Sequence, residues 1–464
     1  MSTDQSNKDT IAAIATPIGQ AGIGIVRMSG PHARQIAEKI FKPKRPIKRL
    51  RAHRLYLGHL IDTSSGEMID EVLLSFMKAP HSYTREDVVE INSHSGYLLL
   101  SMILQIVLNE GARLAKPGEF TFRAFVNGRI DLTQAEAIVD LINSKSERGL
   151  HLASQQIKGK FRTEIEGLRQ KVVEILAHTE VAIDFPEEEY GNISREEMAQ
   201  RVSRDLIEPI AKIMAAHAQR KIWMEGIDTV IAGRVNVGKS SLLNRLLNEQ
   251  RAIVTAIPGT TRDIIESTIH IEGIPIRLMD TAGFRKVKGE VERIGIDLTK
   301  EKLASADLSL IVLDQSRPLN RDDLNILAKA EKNKSLILLN KIDLAPRINQ
   351  EDLNRALNGM PVVTISALTG EGIDDLRRAI RDHVMAGDVD TTSSHLAPNL
   401  RHRTALIEAS KYFKNAFRSM RVGLPLEVIA LDLNSGLEAL GEIIGETTNE
   451  EIIEKIFSEF CLGK

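Results

Sequence analysis

Between Gly233 and Ser240 the chain reads Gly-Arg-Val-Asn-Val-Gly-Lys-Ser, directly after the apolar run Thr229-Val-Ile-Ala and before a helical run, Ser241 to Leu247. A glycine loop in that setting requires an α/β unit with the loop at the carboxyl end of a strand. The glycines let the backbone wrap closely around phosphate, and the helix N-terminus behind them offers aligned N–H groups. Asn236, Val237, Gly238, Ser240 and Ser241 build the cradle. Lys239 is placed to reach β and γ phosphates, and the Ser240 hydroxyl to take Mg²⁺.

Three further elements follow in order, each on a loop after an apolar run. Asp280-Thr281-Ala282-Gly283 closes Ile276-Arg-Leu-Met. An aspartate there holds Mg²⁺ through water, and Gly283 is placed to sense a γ phosphate. Asn340-Lys341-Ile342-Asp343 closes Leu336-Ile-Leu-Leu. The Asp343 carboxylate can accept from guanine N1–H and the exocyclic amine, which adenine does not offer, and a site built on such bonds rejects the wrong base strongly. Ser366-Ala367-Leu368 follows Pro361-Val-Val-Thr-Ile and closes the base pocket. The four elements together imply a bound GTP. The loop Thr255-Ala256-Ile257-Pro258-Gly259-Thr260-Thr261 supplies a switch threonine, Thr260 or Thr261, that closes on Mg²⁺ and the γ phosphate. Where Ras-like proteins use a glutamine beside the DxxG glycine to orient water, this chain has Phe284, which cannot. Glu290 and Glu292, further along the second switch, are the acidic candidates.

With 464 residues, the chain is too long for one ordinary core. The expected fold is multidomain α/β. Residues 1–125 mix short strands (Ile23–Val26, Val72–Leu74, Val88–Ile91) with a helix enclosed by Gly96 and Gly111, an α+β pattern. Residues 126–224 are helical: Ile165, Leu168, Val172, Leu176, Thr179 and Ile183 recur at three-to-four spacing. Residues 225–385 alternate strand, loop and helix, which implies a Ras-like, doubly wound, mostly parallel sheet inserted into the helical part. Residues 387–399 read as a linker, and 386–464 are helical again, with a helix start at Thr448. Met28, Met77, Met102 and Met279 lie in apolar runs and are expected in the core. The net charge of −2 announces no bulk nucleic-acid binder. A single cysteine, Cys461, excludes a disulfide framework within the chain and fits a reducing, cytoplasmic setting.

The combination of NVGKSSLLN, PGTTRD, DTAG and NKID resembles the bacterial Era, EngA and TrmE GTPases. Outside that unit, APHSYTREDVVEI (79–91), KPGEFTFRAFVNGRIDLTQAEAIVDLI (116–142) and the terminal Cys461-Leu-Gly-Lys464 are similar to the MnmE (TrmE) family of tRNA-modification GTPases. The resemblance implies a homodimer that works with a flavin-dependent partner, MnmG (GidA), to place an aminomethyl-type group on C5 of the wobble uridine of certain tRNAs. The one-carbon unit would come from a tetrahydrofolate derivative (5-formyl or methylene) on the N-terminal domain. Arg27, Glu86, Arg129 and Lys464 match the folate-contacting positions, with Arg129 where a lysine is familiar. His94-Ser95-Gly96 stands where the pattern has His-Gly-Gly. The resemblance also implies K⁺ in place of an arginine finger, held by Asn236, Thr255, Ile257 and Thr260. Ser240 and Thr261 would hold Mg²⁺, and Glu292 would orient the water. Cys461 in the family-like tail is a candidate nucleophile or an inert small hydrophobe.

The run Lys42 to Arg54 holds seven Lys or Arg and no acid, suited to RNA phosphates or to a solvated loop. A second reading of the chain is a ribosome-assembly switch of the Era or EngA kind. Against it stand the single phosphate loop, the lack of a GxxG loop in the C-terminal helices, and the folate-like N-terminal domain.

Overall fold

The computed structural model describes residues 9–17, 19, 21–184, 194–248, 267–279, 303, 305–385, 397–447, 449–458, 460 and 463. The chain divides into two compact units. One comprises 1–142, 153–214 and 398–464; the other comprises 143–152 and 215–397.

The first unit opens with β1 (Ile11–Ile14), β2 (Gly24–Ser29), α1 (Ala33–Ile40), β3 (Phe41–Pro43), β4 (Arg54–Ile61), β5 (Met68–Met77), β6 (Val88–Ser93), α2 (Tyr97–Asn109) and β7 (Arg113–Leu114). They make a seven-stranded sheet in the order β3-β4-β5-β6-β2-β1-β7. Its pairs are antiparallel except β1 with β7. Alternate residues of β5 define its two faces: Val72, Leu74 and Phe76 are buried while Leu73 is exposed. Ile36 and Ile40 of α1 and Leu100, Ile103 and Val107 of α2 join Val26, Met28, Leu74 and Ile91 in one core. Because α2 is apolar nearly all round, it cannot bury everything. Tyr97 and Leu98 stay exposed, and so does Met102, which corrects its expected core placement. Met28 is fully buried, and Met279 packs on a core cluster of the second unit.

Helices α3 (Glu119–Val126), α4 (Leu132–Asn143), α5 (Glu147–Ile157) and α6 (Lys160–Asp184) follow. The predicted stripe of α6 is its inner face, with Ile165, Leu168, Val172, Leu176 and Thr179 buried. Next come α7 (Arg195–Val202), a π-helical turn (Ser203–Ile207) and α8 (Glu208–Ala215).

In the second unit α9 (His217–Met224) leads into β8 (Ile227–Ala232), α10 (Lys239–Asn248), β9 (Ser267–Ile271), β10 (Ile274–Leu278), β11 (Leu308–Asp314), α11 (Arg321–Lys329), β12 (Ser335–Asn340), α12 (Gln350–Leu357), β13 (Val362–Ile365) and α13 (Ile373–Met385). The strand order is β13-β12-β11-β8-β10-β9. All pairs are parallel but β9 with β10. This is the doubly wound sheet the sequence implies, with one antiparallel edge strand added. Every residue of β11 and β12 is buried, as strands covered on both faces must be. The linker expected at 387–399 lies outside the described residues up to 396.

The chain then returns to the first unit as α14 (Leu400–Val422), α15 (Leu426–Ile444) and α16 (Glu450–Ser458). Helices α14, α15 and α6 pack on one another. Phe457 of α16 meets Phe122 edge-on at 5.3 Å and stacks on Phe460 at 5.5 Å, so aromatic packing carries the C-terminal tail to the N-terminal domain.

Candidate functional site

The phosphate loop leaves β8 and turns into α10 with Val237 buried as its anchor. Asn236 adopts φ 63° and Gly238 φ 103°. At Gly238 a side chain has no room, because a Cβ there would collide with the Asn340 amide. Lys239 curls over the loop, its Nζ donating to the carbonyls of Gly233 and Arg234 at 2.7 Å each. Burial pushes its ammonium below the usual lysine range, which an entering phosphate would reverse. Ser240 and Ser241 are exposed at the first turn of α10, open to a metal and phosphate ligand. Arg234 reaches Asp323 of α11 at 3.5 Å, and Asp323 also closes the capping box of that helix with Asn320.

Asn340 ends β12 and ties the base pocket to the phosphate loop. Its Nδ2 donates to the Val237 carbonyl at 2.7 Å and its Oδ1 accepts from the Ala367 N–H at 2.9 Å. Asp343 Oδ1 accepts from the Ser366 hydroxyl at 2.6 Å, which orients one carboxylate oxygen and leaves the other for a base. Lys341, at φ 71°, donates from Nζ to Asp314 Oδ2 at 2.6 Å. Burial raises the Asp314 carboxyl, but the Lys341 and Ser316 hydrogen bonds outweigh it and hold it below the usual range. Arg245 of α10 donates to the carbonyls of Ala367 and Leu368, so the helix behind the phosphates also fixes the base loop. Leu368 itself is exposed. Asp314 and Arg245 escaped the sequence reading. Asp314 had a signal, the one acid closing an otherwise apolar run.

The described residues thus bring together Asn236 through Ser241, Asn340, Lys341, Asp343, Ser366, Ala367 and Leu368. Thr255, Ala256, Ile257, Pro258, Gly259, Thr260, Thr261, Asp280, Thr281, Ala282, Gly283, Phe284, Glu290 and Glu292, expected in the site, lie outside the described residues, as do Cys461 and Lys464.

A second polar corner forms on the N-terminal domain. Arg27 of β2 donates to Glu90 Oε1 at 2.8 Å and to the Gly463 carbonyl at 3.3 Å. Its guanidinium lies 5.9 Å from the Tyr83 ring, and that of Arg129 lies 4.8 Å from the same ring. Two cations around one aromatic ring suit a ligand that joins a planar ring to carboxylates. Gly463, at φ 92°, sits so close to the Ile14 carbonyl that a side chain would collide with it, which seats the tail beside Arg27. Glu86 faces inward instead. It accepts from Ser29 at 2.6 Å and from the fully buried Arg123 at 3.1 Å. Burial pushes its carboxyl up, against the pull of Arg123 and Ser29. Ser95, where the pattern has glycine, donates to the Gly19 carbonyl at 2.9 Å.

A family profile described as the GTP-binding protein TrmE N-terminus matches residues 10–129, and one described as the MnmE helical domain matches residues 132–461. The tRNA modification GTPase MnmE of Geobacillus kaustophilus is 46% identical over 462 residues, covering 98% of this chain and 99% of that protein. The chain belongs to the MnmE family. As a member it is a GTP-hydrolysing enzyme, in keeping with the nucleotide pocket. The MnmE proteins of Bacillus subtilis and Thermoanaerobacter pseudethanolicus are each 45% identical, covering 98% of this chain and 100% and 99% of their own. Among solved structures, the G domain of the T. maritima FeoB iron transporter is 30% identical over 34% of this chain and 98% of its own, with TM-score 0.24. Among the described residues no helix is long and apolar enough to cross a membrane.

Proposed function

We propose that the chain is a K⁺-activated cytoplasmic GTPase that, with a flavin-dependent partner, places an aminomethyl or carboxymethylaminomethyl group on C5 of the wobble uridine of certain tRNAs. The observation that carries this is the guanine pocket of Asn340, Asp343 and Ser366 beside the phosphate loop, in a chain 46% identical, nearly end to end, to a tRNA modification GTPase. The Era or EngA reading has no such support.

Asp343, oriented by Ser366, selects guanine. Lys239 and the N–H groups at the start of α10 take the phosphates, and Ser240 with Thr261 holds Mg²⁺. Asn236, exposed at its turn, is a side-chain ligand for K⁺, with Thr255, Ile257 and Thr260 as the others. A cation there offsets the charge that an arginine finger would stabilise. Glu292 orients the attacking water.

Arg27 and Arg129 around Tyr83, with the tail and Lys464 beside them, suit a folate, which joins a planar pterin to glutamyl carboxylates. Glu86 supports that corner through Ser29 and Arg123 rather than by contact. Dimerisation is supported by the apolar face of Met68, Tyr97, Leu98 and Met102, which lines a cavity of about 740 Å³. Exposed patches of this kind mark partner surfaces.

Two assays test the reading. Phosphate release from GTP is expected to be much faster in KCl than in NaCl, and about 10²-fold slower or worse in Glu292→Ala. Calorimetry is expected to show saturable binding of 5-formyltetrahydrofolate that Arg27→Ala/Arg129→Ala loses. Equal rates in both salts would remove the potassium step, and absence of folate binding by a GTP-competent chain would remove the donor assignment.

A further inference from the structure

We propose that the exposed face of α14 is a binding groove for the RNA phosphodiester backbone. This rests on the tRNA reading above and says where on the chain the nucleic acid lies. Ile407, Lys411, Lys414 and Arg418 follow at spacings of four, three and four, so they share one helix face. With Ser410, Asn415 and Met214 of α8 they line a cavity of about 300 Å³. Arg403 and Arg421 continue the stripe at its ends, and all five cations are exposed. From 403 to 421 the stripe runs about 27 Å at 1.5 Å per residue. Among the described residues the one ion pair in it is Lys411 with Glu408, stretched to 4.0 Å and exposed, a contact worth little. A chain of net charge −2 therefore concentrates positive charge on this face.

Ser410 is the independent observation. It is 4% exposed, it lines the cavity, and its Oγ has no hydrogen-bond partner among the described residues. A helical serine ordinarily bonds back to the carbonyl four residues earlier, and a buried hydroxyl left unpaired carries a cost that a ligand would remove. A phosphate in the groove takes charge from Lys414, Arg418 and Lys411, and its free oxygen accepts from Ser410. The adjoining ribose rests on Ile407 and Met214. An acidic peptide would satisfy single cations, but a long, evenly charged stripe fits a polyanion of regular spacing.

The test is fluorescence anisotropy of a labelled tRNA transcript titrated with the full chain across a range of KCl concentrations. Lys411→Ala/Lys414→Ala/Arg418→Ala is expected to weaken binding about tenfold or more and to flatten the slope of log K against log salt by about 2. Lys414→Arg keeps the slope, and Ser410→Ala weakens binding without changing it. GTP hydrolysis without tRNA stays as in the parent for all of them, and none unfolds at a lower temperature than the parent. If the triple variant binds with the parent's affinity and slope, the groove is not the RNA site, although the tRNA reading survives because the parent binds. If the parent binds no tRNA the groove proposal falls, and nucleoside analysis of cellular tRNA decides the wider reading separately.

Discussion

At the scale of single residues, Asn340 sets the nucleotide pocket. Its side chain is 2% exposed and is the bracket between Val237 and Ala367. Asn340→Ala leaves a buried carbonyl and a buried N–H unpaired, each costing about 1–3 kcal/mol. The expected outcome is a lower melting temperature and weaker GTP binding together, read by calorimetry and nucleotide titration. Asp343→Ala keeps the fold but removes a charged hydrogen-bond partner of the base, worth about 1.5–3 kcal/mol. GTP affinity should then fall about tenfold or more, with ATP binding little changed. Both residues were legible from sequence, because an aspartate after Asn-Lys at the end of a buried strand has few other uses. The internal partners were not. That Asn340 spans two loops, or that Arg245 holds the Leu368 carbonyl, depends on distances across the sheet that no local pattern records. Glu86, which resemblance places at a ligand contact, accepts from Ser29 and Arg123 inside the domain, partners that no local pattern records.

Among the elements, α4 and α14 are joined by a buried cluster. Arg401 forks onto both Glu136 oxygens at 2.8 Å each, and His402 Nε2 lies 2.6 Å from Oε2. Asn399 N–H points at His402 Nδ1, which leaves Nε2–H to donate to the carboxylate. Burial works to raise the Glu136 carboxyl, yet His402 and Arg401 outweigh it and hold it well below the usual carboxylate range. A depressed carboxyl contributes stability above its unfolded value of about 4.3 and loses it as pH falls below that. Stability should therefore fall steeply below about pH 5 in the parent and less steeply in Glu136→Gln. Glu136→Ala, which strands Arg401, should cost about 3–5 kcal/mol in chemical denaturation at neutral pH. The amphipathic period of α6 and the strand runs were readable because one face of each is buried. Strand β9 was missed because a five-residue edge strand pairs through backbone and carries a weak pattern.

Over the whole molecule, the chain passes into the second unit for 143–152, returns for 153–214, passes out again for 215–397 and re-enters the first unit just ahead of α14. The Glu136 cluster ties α4 to α14, the helix on which the chain returns to the first unit. The tail returns to Arg27 by way of Phe457, Phe460 and Gly463. Insertion of one unit into another was visible in the sequence as helix, α/β, helix. The seating of a distant C-terminus on β2 was suggested only by resemblance, since a contact 436 residues apart leaves no periodic trace.

The proposed function joins GTP hydrolysis on one unit to tRNA modification by the whole chain. The most direct measurement is mass spectrometry of wobble nucleosides from cells lacking the endogenous MnmE, complemented with this full chain or with Lys239→Ala. The parent is expected to restore the C5-modified uridine and Lys239→Ala to leave it absent. Full modification by Lys239→Ala, or none by a well-expressed parent, would contradict it.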